Sequence, residues 1–325
     1  MDITRIRERV ATDMKAVDTM ITERLRSDVA LINQLGQYIV GGGGKRLRPM
    51  VTVLTARLAG HPPDDTRHAL LAATVELIHT ATLLHDDVVD DSAVRRGRDT
   101  ANQIWGNEAS VLVGDFLYTR AFQMMVELED MTVMSVFSRT TNQIAEGEVM
   151  QLMNIHDADV TETRYMEIIH RKTAVLFEAG CRLAARLSHP GDTRLTDAAA
   201  AYGRHLGIAF QLADDALDYD GDSAATGKNI GDDLAEGKPT LPIIHSLAQS
   251  HGEARAVLRR AIEQGGREDM TQVAETIAQT GSIAYTRALA EAEADRALEA
   301  LEAFPENDFR SALSDLARFS VGRDH

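Results

Sequence analysis

The sequence predicts an all-α protein, and three observations support this fold class. Apolar residues recur at steps of three and four along the first 25 residues, the stripe of an amphipathic helix. Proline is absent between Pro63 and Pro190, so long helices are permitted there. Alternating apolar and polar runs rich in β-branched residues are missing, so we expect no credible sheet. The N-terminal stripe consists of Ile3, Ile6, Val10, Met14, Val17, Ile21 and Leu25.

Length and composition limit the class of protein. A chain of 325 residues can bury a large core, and because no low-complexity linker interrupts it, we expect one helical domain over residues 1–325. The net charge of -16 argues against a nucleic-acid binder. The single cysteine, Cys181, suits a reducing cytoplasm and is interpreted as a buried apolar residue. We expect neither a secretory signal nor a transmembrane segment, because no sufficiently apolar run is found.

A first cluster of aspartates lies at the end of a predicted helix over Arg67 to Asp91. Asp86 and Asp90 are one turn apart, so their β-carbons should lie about 5–6 Å from each other and their charges should repel. A helix C-terminus also disfavours anions. A solvated helix end is one explanation, but the strongly apolar segment before the cluster favours carboxylates that hold a hard cation against phosphate.

A second cluster repeats the same spacing. Asp214, Asp215 and Asp218 in "FQLADDALDYD" form the same D-D-x-x-D pattern as the first cluster, again on an apolar helix. One such motif is weak evidence, whereas a duplicated unfavourable arrangement is strong evidence for a shared ligand. We expect two facing helices to hold two or three Mg²⁺ ions against a diphosphate, with water and phosphate completing each coordination shell.

Basic residues could bind a second phosphate group independently of the aspartate clusters. The stretch "GGGGKRLRP" contains Lys45 and Arg48 after a glycine run, and it lacks the Ser or Thr of a Walker A loop. An exposed basic loop is the alternative interpretation, but a turn that binds phosphate without metal is favoured by Arg95 and Arg96, which follow the first aspartate cluster. His79 lies two turns before Asp86 and would more often be an ordinary buried histidine. The polar stretch "GKNIGDDLAEGKPT" is interpreted as a loop that closes over diphosphate.

Together these motifs resemble the trans-isoprenyl diphosphate synthases of the polyprenyl synthetase family. The resemblance extends from about Gly42 nearly to the C-terminus, and its motifs occur in the family's order: "GGGKRLRP", "HTATLLHDDVVD", "GDFLYTRAF", "AEGEVMQL", "KTA", "FQLADDALDY" and "GKNIGDDLAEGKPTLP". It implies an isoprenoid-synthase helical bundle with a central active-site cavity. It also implies a homodimer that catalyses Mg²⁺-dependent head-to-tail condensation. Similarity to long-chain bacterial members implies an octaprenyl product for quinone side chains.

The resemblance also implies roles for individual residues. Isopentenyl diphosphate would be bound by Lys45, Arg48, His79 and Arg96. The allylic diphosphate, farnesyl or geranyl, would be bound by Arg95, Lys172, Thr173, Gln211 and Lys228. Lys172, Thr173 and Gln211 would also stabilise the allylic carbocation. The Mg²⁺ ions would be bound by Asp86, Asp90, Asp214 and Asp218.

The length of the product depends on the predicted tunnel. The growing chain should run from Asp86 back along its helix, where Ala81 and Thr82 are small and leave the path open. Phe122, Met124 and Met125 are candidates for the floor, although an ordinary core role is at least as well supported.

Three alternatives remain open at this point. The chain could make a product of another length, such as geranylgeranyl, nonaprenyl or decaprenyl. A terpene cyclase uses related metal chemistry, but the duplicated aspartate motif and the basic "GGGGKRLRP" favour a second diphosphate substrate. A non-catalytic subunit of a heteromeric synthase is disfavoured by the intact aspartate clusters. A lipid-soluble product could also bring the protein to a membrane surface without a spanning helix.

Overall fold

The computed structural model describes residues 3–42, 44–220 and 231–322, and within them helices dominate. The strands of this described part are limited to Val94–Arg95 (β1) and Arg98–Asp99 (β2), which pair antiparallel. The predicted all-α class is therefore confirmed, with one short hairpin that the sequence pattern did not reveal.

The helices of the first half carry the first aspartate cluster and the basic turn. They are α1 (Ile3–Arg9), α2 (Ala11–Arg24), α3 (Ala30–Gly41), α4 (Leu47–Leu58), α5 (Arg67–Val89), α6 (Ala101–Trp105), α7 (Asn107–Glu127) and α8 (Met131–Met153).

The helices of the second half carry the second cluster. They are α9 (Glu162–Ile169), a π-helix (His170–Ala174), α10 (Val175–Ser188), α11 (Thr193–Asp220), α12 (Asp232–Ala235), α13 (Leu241–Gln249), α14 (Gly252–Gln264), α15 (Met270–Gln279), α16 (Ser282–Ala300), a 3₁₀ turn (Leu301–Ala303) and α17 (Asp308–Val321).

The chain groups into two compact units. Unit 1 contains Met1–Thr141, Leu176–Gly203 and Leu301–Leu313. Unit 2 contains Asn142–Val175, Arg204–Ala300 and Ser314–His325. The expectation of one domain over residues 1–325 stays a prediction.

The core of unit 1 is organised around α5. This helix packs against α2, α4 and α7, and most of its residues up to Ala81 are buried. A buried hydroxyl such as that of Thr74 donates to the carbonyl of Leu70 one turn earlier, so it leaves no unmet polar group. Gly114 on α7 allows a close approach, because a β-carbon there would lie 2.3 Å from the ring of His85. The long apolar helix ending at the aspartates, predicted over Arg67 to Asp91, is confirmed over Arg67–Val89.

Unit 2 contains two apolar clusters. One joins α12 to α15 through Leu234, Ile243, Leu258 and Val273. The other surrounds Tyr165 of α9 and includes the following side chains: Ile169, Ala174, Ile208, Leu212, Leu241, Ile244 and Ala290. This second cluster includes Ile208 and Leu212 of α11, the helix that carries the second aspartate motif.

The N-terminal stripe forms two helices instead of one. The helix breaks at Val10, between α1 and α2, although Val10 itself is buried. Ile6, Val17 and Ile21 are also buried, so the periodicity correctly marked the face that packs on the core.

Cys181 is fully buried, as the sequence interpretation predicted. Burial raises the pKa of its thiol to about 12, so the thiolate that a nucleophile requires is not formed near neutral pH. Among the helices of the described part, none combines the length and the apolar character needed to cross a bilayer.

Candidate active site

The first aspartate cluster lies in the last turn of α5. Asp86 and Asp87 are helical, and Asp90 follows the last helical residue with its backbone N–H donating to the Asp86 carbonyl at 2.8 Å. The side chains differ in exposure, because Asp86 and Asp90 are partly exposed whereas Asp87 is only 4% exposed. The carboxylates of Asp86 and Asp90 are therefore accessible to a ligand, whereas that of Asp87 is buried.

Asp87 is held by Arg95, which lies on β1. The Arg95 Nε donates to Asp87 Oδ1 at 2.6 Å, and the Arg95 side chain remains 37% exposed. Burial raises the pKa of Asp87 and the charge of Arg95 opposes that rise, while Asp86 and Asp90 add to it. The sequence placed Arg95 near this cluster but did not reveal that the middle carboxylate fixes its position.

Basic residues predicted to share one diphosphate lie together in unit 1. Arg48 Nη1 lies 3.1 Å from His79 Nε2, and a β-carbon on Gly44 would lie 2.5 Å from Arg96 Nη1. Gly44 has φ of +145°, so glycine both permits the backbone conformation and makes room for the arginine. Lys45 directly follows this glycine. Gly44 is thus a close-fitting part of the basic group.

His79 is neutral in this setting. Burial lowers the pKa of His79 well below 6.5, and the nearby charges of Arg48, Arg96, Arg95 and Arg46 lower it further. The neutral ring can accept a hydrogen bond from Arg48 at Nε2. A neutral histidine here orients an arginine without adding a further positive charge.

Two sets of contacts around this basic group were not predicted from sequence. Arg46 has a left-handed backbone conformation with φ of 48°. Its guanidinium forms an ion pair with the buried carboxylate of Glu76 and so neutralises that charge. Tyr38 on α3 donates to the Asp99 carbonyl at 2.7 Å, and the Arg98 guanidinium lies 4.2 Å from the Tyr38 ring centroid. These contacts fix the hairpin that carries Arg95 and Arg96.

The second aspartate cluster lies near the end of α11 in unit 2. Asp214 and Asp218 are partly exposed, whereas Asp215 is 2% exposed. The Tyr165 hydroxyl donates to Asp215 Oδ2, and Gln211 Nε2 donates to Asp215 Oδ1 at 2.8 Å. The pattern of exposure matches that of the first cluster, but these donors are neutral.

Asp218 binds the chain segment that begins α12. The backbone N–H groups of Asp232 and Asp233 lie 3.2 and 3.4 Å from its carboxylate oxygens. Burial and the charge of Asp233 raise the pKa of Asp218 to about 7. Lys228, which the resemblance assigned to the allylic diphosphate, lies outside the described residues.

Lys172 and Thr173 lie on the π-helix His170–Ala174, where the Val175 N–H donates to the carbonyl of His170, five residues earlier. Such turns occur frequently at functional sites. The Thr173 hydroxyl donates to Gln211 Oε1 at 3.0 Å, so two of the predicted carbocation-facing side chains are in direct contact.

Lys172 is fixed by α8, through residues of the "AEGEVMQL" motif to which the sequence argument gave no role. Its Nζ lies 2.7 Å from both Glu148 Oε2 and Gln151 Oε1. Gly147 permits this contact, because a β-carbon there would lie 2.9 Å from the Lys172 backbone nitrogen. The spacing of Glu148 and Gln151 by three residues on one helix was the available signal.

The residues proposed for the product tunnel are mostly interior. Ala81, Met124 and Met125 are fully buried, and Thr82 is partly buried with its hydroxyl donating to the His79 carbonyl. Burial is equally typical of ordinary core residues, so the tunnel stays a prediction.

The donor set suits a hard divalent cation that arrives with a phosphate. Among the described residues, no group of three or more His, Cys, Asp or Glu side chains is arranged to hold a metal ion. Each cluster instead offers two accessible carboxylates. Mg²⁺ usually takes only one or two protein carboxylates and completes its shell with water and substrate phosphate, so the residues fit this ion.

The helical fold and the duplicated aspartate motif define the class of isoprenoid synthases. The chain belongs to the polyprenyl synthetase family, whose model matches residues 29–280, and is thus a prenyltransferase, as the sequence predicted. It is 52% identical to the octaprenyl diphosphate synthase of Escherichia coli (strain K12), with 100% of both chains covered. It is 49% identical to the octaprenyl diphosphate synthase of Haemophilus influenzae, with 100% of this chain and 98% of that protein covered.

Solved structures agree with this assignment. A polyprenyl synthase from Caulobacter crescentus, complexed with calcium and isoprenyl diphosphate, matches with a TM-score of 0.93 and 47% identity over 100% of this chain and 98% of that one. A decaprenyl diphosphate synthase from Rhodobacter capsulatus matches with a TM-score of 0.94 and 42% identity over 100% of both chains.

Proposed function

We propose that the chain is a long-chain trans-polyprenyl diphosphate synthase that condenses isopentenyl diphosphate successively onto farnesyl or geranyl diphosphate. The observation that carries the proposal is the pair of aspartate clusters, each with a buried middle carboxylate and two accessible outer ones. The identity to two octaprenyl diphosphate synthases supports an octaprenyl product, which would serve as a quinone side chain.

The first chemical task is to break the allylic C–O bond. Two or three Mg²⁺ ions, bound through Asp86, Asp90, Asp214 and Asp218, would neutralise the charge that grows on the leaving pyrophosphate. Arg95 would add a fixed positive charge, since Asp87 holds its Nε while the rest of the guanidinium stays partly exposed.

The second task is to stabilise the allylic cation. The carbonyl oxygen of Lys172, the hydroxyl oxygen of Thr173 and the amide oxygen of Gln211 each carry a negative partial charge that would stabilise this cation. Contacts made before the reaction position all three, so they need not reorganise as the cation forms.

The third task is to place the second substrate. Lys45, Arg48, His79 and Arg96 would bind the diphosphate of isopentenyl diphosphate without metal. Its double bond would attack the cation to form the new C–C bond, and the proton then lost from the adjacent carbon would pass to the departing pyrophosphate. No nucleophilic side chain is required, which agrees with the inert, buried thiol of Cys181.

The direct test is to incubate the purified chain with farnesyl diphosphate, labelled isopentenyl diphosphate and Mg²⁺, and to size the products by chromatography. We expect products lengthened to eight prenyl units and no turnover after chelation. Full turnover after exhaustive chelation would overturn the metal-dependent mechanism. If the chain alone made no product, a non-catalytic subunit would be the better assignment.

The same chromatogram tests a second product length. The all-trans-nonaprenyl-diphosphate synthase (geranyl-diphosphate specific) of Rhodobacter capsulatus is 46% identical to this chain, with 97% of this chain and 96% of that protein covered. A nine-unit product, or a strong preference for geranyl diphosphate as primer, would favour that assignment over octaprenyl.

Ala81→Phe tests the path of the growing chain. We expect a shorter product, because a phenyl ring one turn before Asp86 would block the tunnel. Ala81 is fully buried, so the larger side chain should also cost about 1–3 kcal/mol of stability, which thermal unfolding would report. An active variant with an unchanged product length would refute this path.

The proposal includes a cytoplasmic homodimer that contacts the membrane peripherally to release its product. Sedimentation of the purified chain would measure the oligomeric state, and flotation with liposomes would measure membrane contact.

A further inference from the structure

A continuous run of hydrogen bonds within unit 2 joins four side chains, and two of them, Thr173 and Gln211, are proposed cation-stabilising groups. The Thr173 hydroxyl donates to Gln211 Oε1, Gln211 Nε2 donates to Asp215 Oδ1, and the Tyr165 hydroxyl donates to Asp215 Oδ2. Three members of the run, Tyr165, Asp215 and Thr173, are at most 6% exposed. Water therefore competes little for these bonds, and breaking one leaves a buried polar group unsatisfied.

This run fixes which end of the Gln211 amide faces which neighbour. A carboxamide has a donating NH₂ end and an accepting oxygen end, and its orientation is decided by its partners. Both carboxyl oxygens of Asp215 accept hydrogen bonds, Oδ1 from Gln211 Nε2 and Oδ2 from the Tyr165 hydroxyl, so the NH₂ end of Gln211 faces Asp215. The amide oxygen must then lie at the opposite end, where it accepts from Thr173.

The orientation matters because the two ends have opposite partial charges. With the oxygen directed away from Asp215, negative partial charge is available beside Thr173. With the amide turned over, two N–H groups would stand in the same place and would repel a developing cation. The difference between the two orientations is thus an electrostatic difference at the position where charge forms.

We propose that Asp215 and Tyr165 are positioning residues that lock the Gln211 amide with its oxygen toward the allylic cation. This inference rests on the proposed function. It gives the three aspartates of the second motif different roles. Asp214 and Asp218 would bind the metal ions, whereas Asp215 would orient the Gln211 amide. Tyr165, which lies 50 positions from Asp215 on another helix, acts through the carboxylate that it holds.

The test compares variants of the two positioning residues. Asp215→Leu removes the acceptor and releases the amide, so kcat should fall on the order of 100-fold. Tyr165→Phe removes only one donor to Asp215, so kcat should fall roughly three- to tenfold. The matched control is Tyr285→Phe, since the Tyr285 hydroxyl also donates to a carboxylate, that of Glu162 at 3.0 Å, and should leave kcat unchanged.

Three readouts separate positioning from other roles. The Mg²⁺ concentration for half-maximal turnover should stay unchanged in Tyr165→Phe, whereas Asp214→Asn should raise it. The KM for isopentenyl diphosphate should also stay unchanged. In a Gln211→Ala background, Tyr165→Phe and Asp215→Leu should cause less than a twofold further loss of kcat, because the amide they position is gone.

Each result decides the matter. The inference would be overturned if Tyr165→Phe and Asp215→Leu lowered kcat by the same factor in the Gln211→Ala background as in the wild type. A higher Mg²⁺ concentration for half-maximal turnover in Tyr165→Phe would also overturn it. Circular dichroism and thermal unfolding show whether Asp215→Leu is folded, and if it is not, the comparison of Tyr165→Phe with Tyr285→Phe decides. A wild-type chain with no turnover would instead refute the proposed function, so the two failures are distinguishable.

Discussion

The two aspartate clusters have the same spacing and the same pattern of exposure, yet their middle carboxylates are held in different ways. Asp87 in unit 1 is paired with a cation, Arg95, whereas Asp215 in unit 2 is bound by two neutral donors, Tyr165 and Gln211. Burial raises the pKa of both carboxyls, and only at Asp87 does an adjacent positive charge oppose that rise.

The difference shows that one sequence motif can serve two electrostatic purposes. In the first cluster the middle carboxylate fixes a charged group, which would act on the leaving pyrophosphate. In the second it fixes a neutral dipole, which would act on the cation. The first cluster also ends its helix, α5 at Val89, where the helix dipole further disfavours anions, so this cluster has a physical reason to bind cations.

The largest expected effect comes from the outer carboxylates, which the two clusters share. Asp86→Ala and Asp214→Ala should each lower turnover on the order of 1,000-fold or more, because each would remove a carboxylate that we propose to bind metal in the charged transition state. A coupled assay of pyrophosphate release would measure this, with circular dichroism showing that the helices survive. Near-normal turnover in either variant would mean that its cluster does not bind the metal.

A kinetic contrast between the middle carboxylates should sharpen the comparison. Asp87→Asn weakens the hold on Arg95, so the KM for the allylic diphosphate should rise roughly tenfold with little change in kcat. Variants of Asp215 should instead lower kcat. Steady-state kinetics with varied farnesyl diphosphate would measure both, and the comparison would fail if the two variants changed the same parameter.

Glu148 in unit 2 is expected to have a smaller effect. Glu148→Gln keeps the shape of the side chain but replaces the ion pair with Lys172 by a neutral contact, while Gln151 still binds the ammonium. We expect kcat to fall about three- to fivefold, as for the loss of a partly exposed charge-assisted bond. Glu146→Gln is the matched control on the same helix, because Glu146 pairs with Arg171. An equal loss in both variants would contradict a specific role for Lys172.

The smallest effect concerns stability in unit 1. The pKa of His79 is lowered well below its unfolded value of about 6.5, so below pH 6.5 the unfolded chain binds a proton that the folded chain does not. The substrate-free protein should therefore lose roughly 1 kcal/mol of stability per pH unit below 6.5 through this residue. Urea unfolding of the wild type and His79→Gln from pH 7.5 to 5.5 would measure the difference. Parallel pH dependence in both would show that His79 is protonated in the folded state.

Local patterns in the sequence were enough to predict the all-α class, the helix over Arg67 to Asp91 and the one-turn spacing of Asp86 and Asp90. The proline-free stretch contains α5, α7 and α8, and the spacing of Asp86 and Asp90 placed them one turn apart. These features depend on residues close in sequence, so helical periodicity and the charge pattern identify them.

Contacts between distant residues could not be predicted in the same way. Tyr165 bonds Asp215 across 50 positions, and Arg48 meets His79 across 31, so only the folded chain brings them together. The hairpin of β1 and β2 has two residues in each strand, too few to show alternation. Nothing in the local pattern distinguishes a π-helix from the α-helices around it.

The π-helix at His170–Ala174 determines how this part of the chain should tolerate insertions and deletions. A π-turn contains one residue more than an α-turn, so deleting a single residue there would restore a regular α-helix. Side chains beyond the deletion would then turn by about 100° relative to α9, and the hydroxyl of Thr173 would no longer meet Gln211. A one-residue change in this segment would therefore redirect side chains, whereas the same change in a surface loop would alter only the length of a connection.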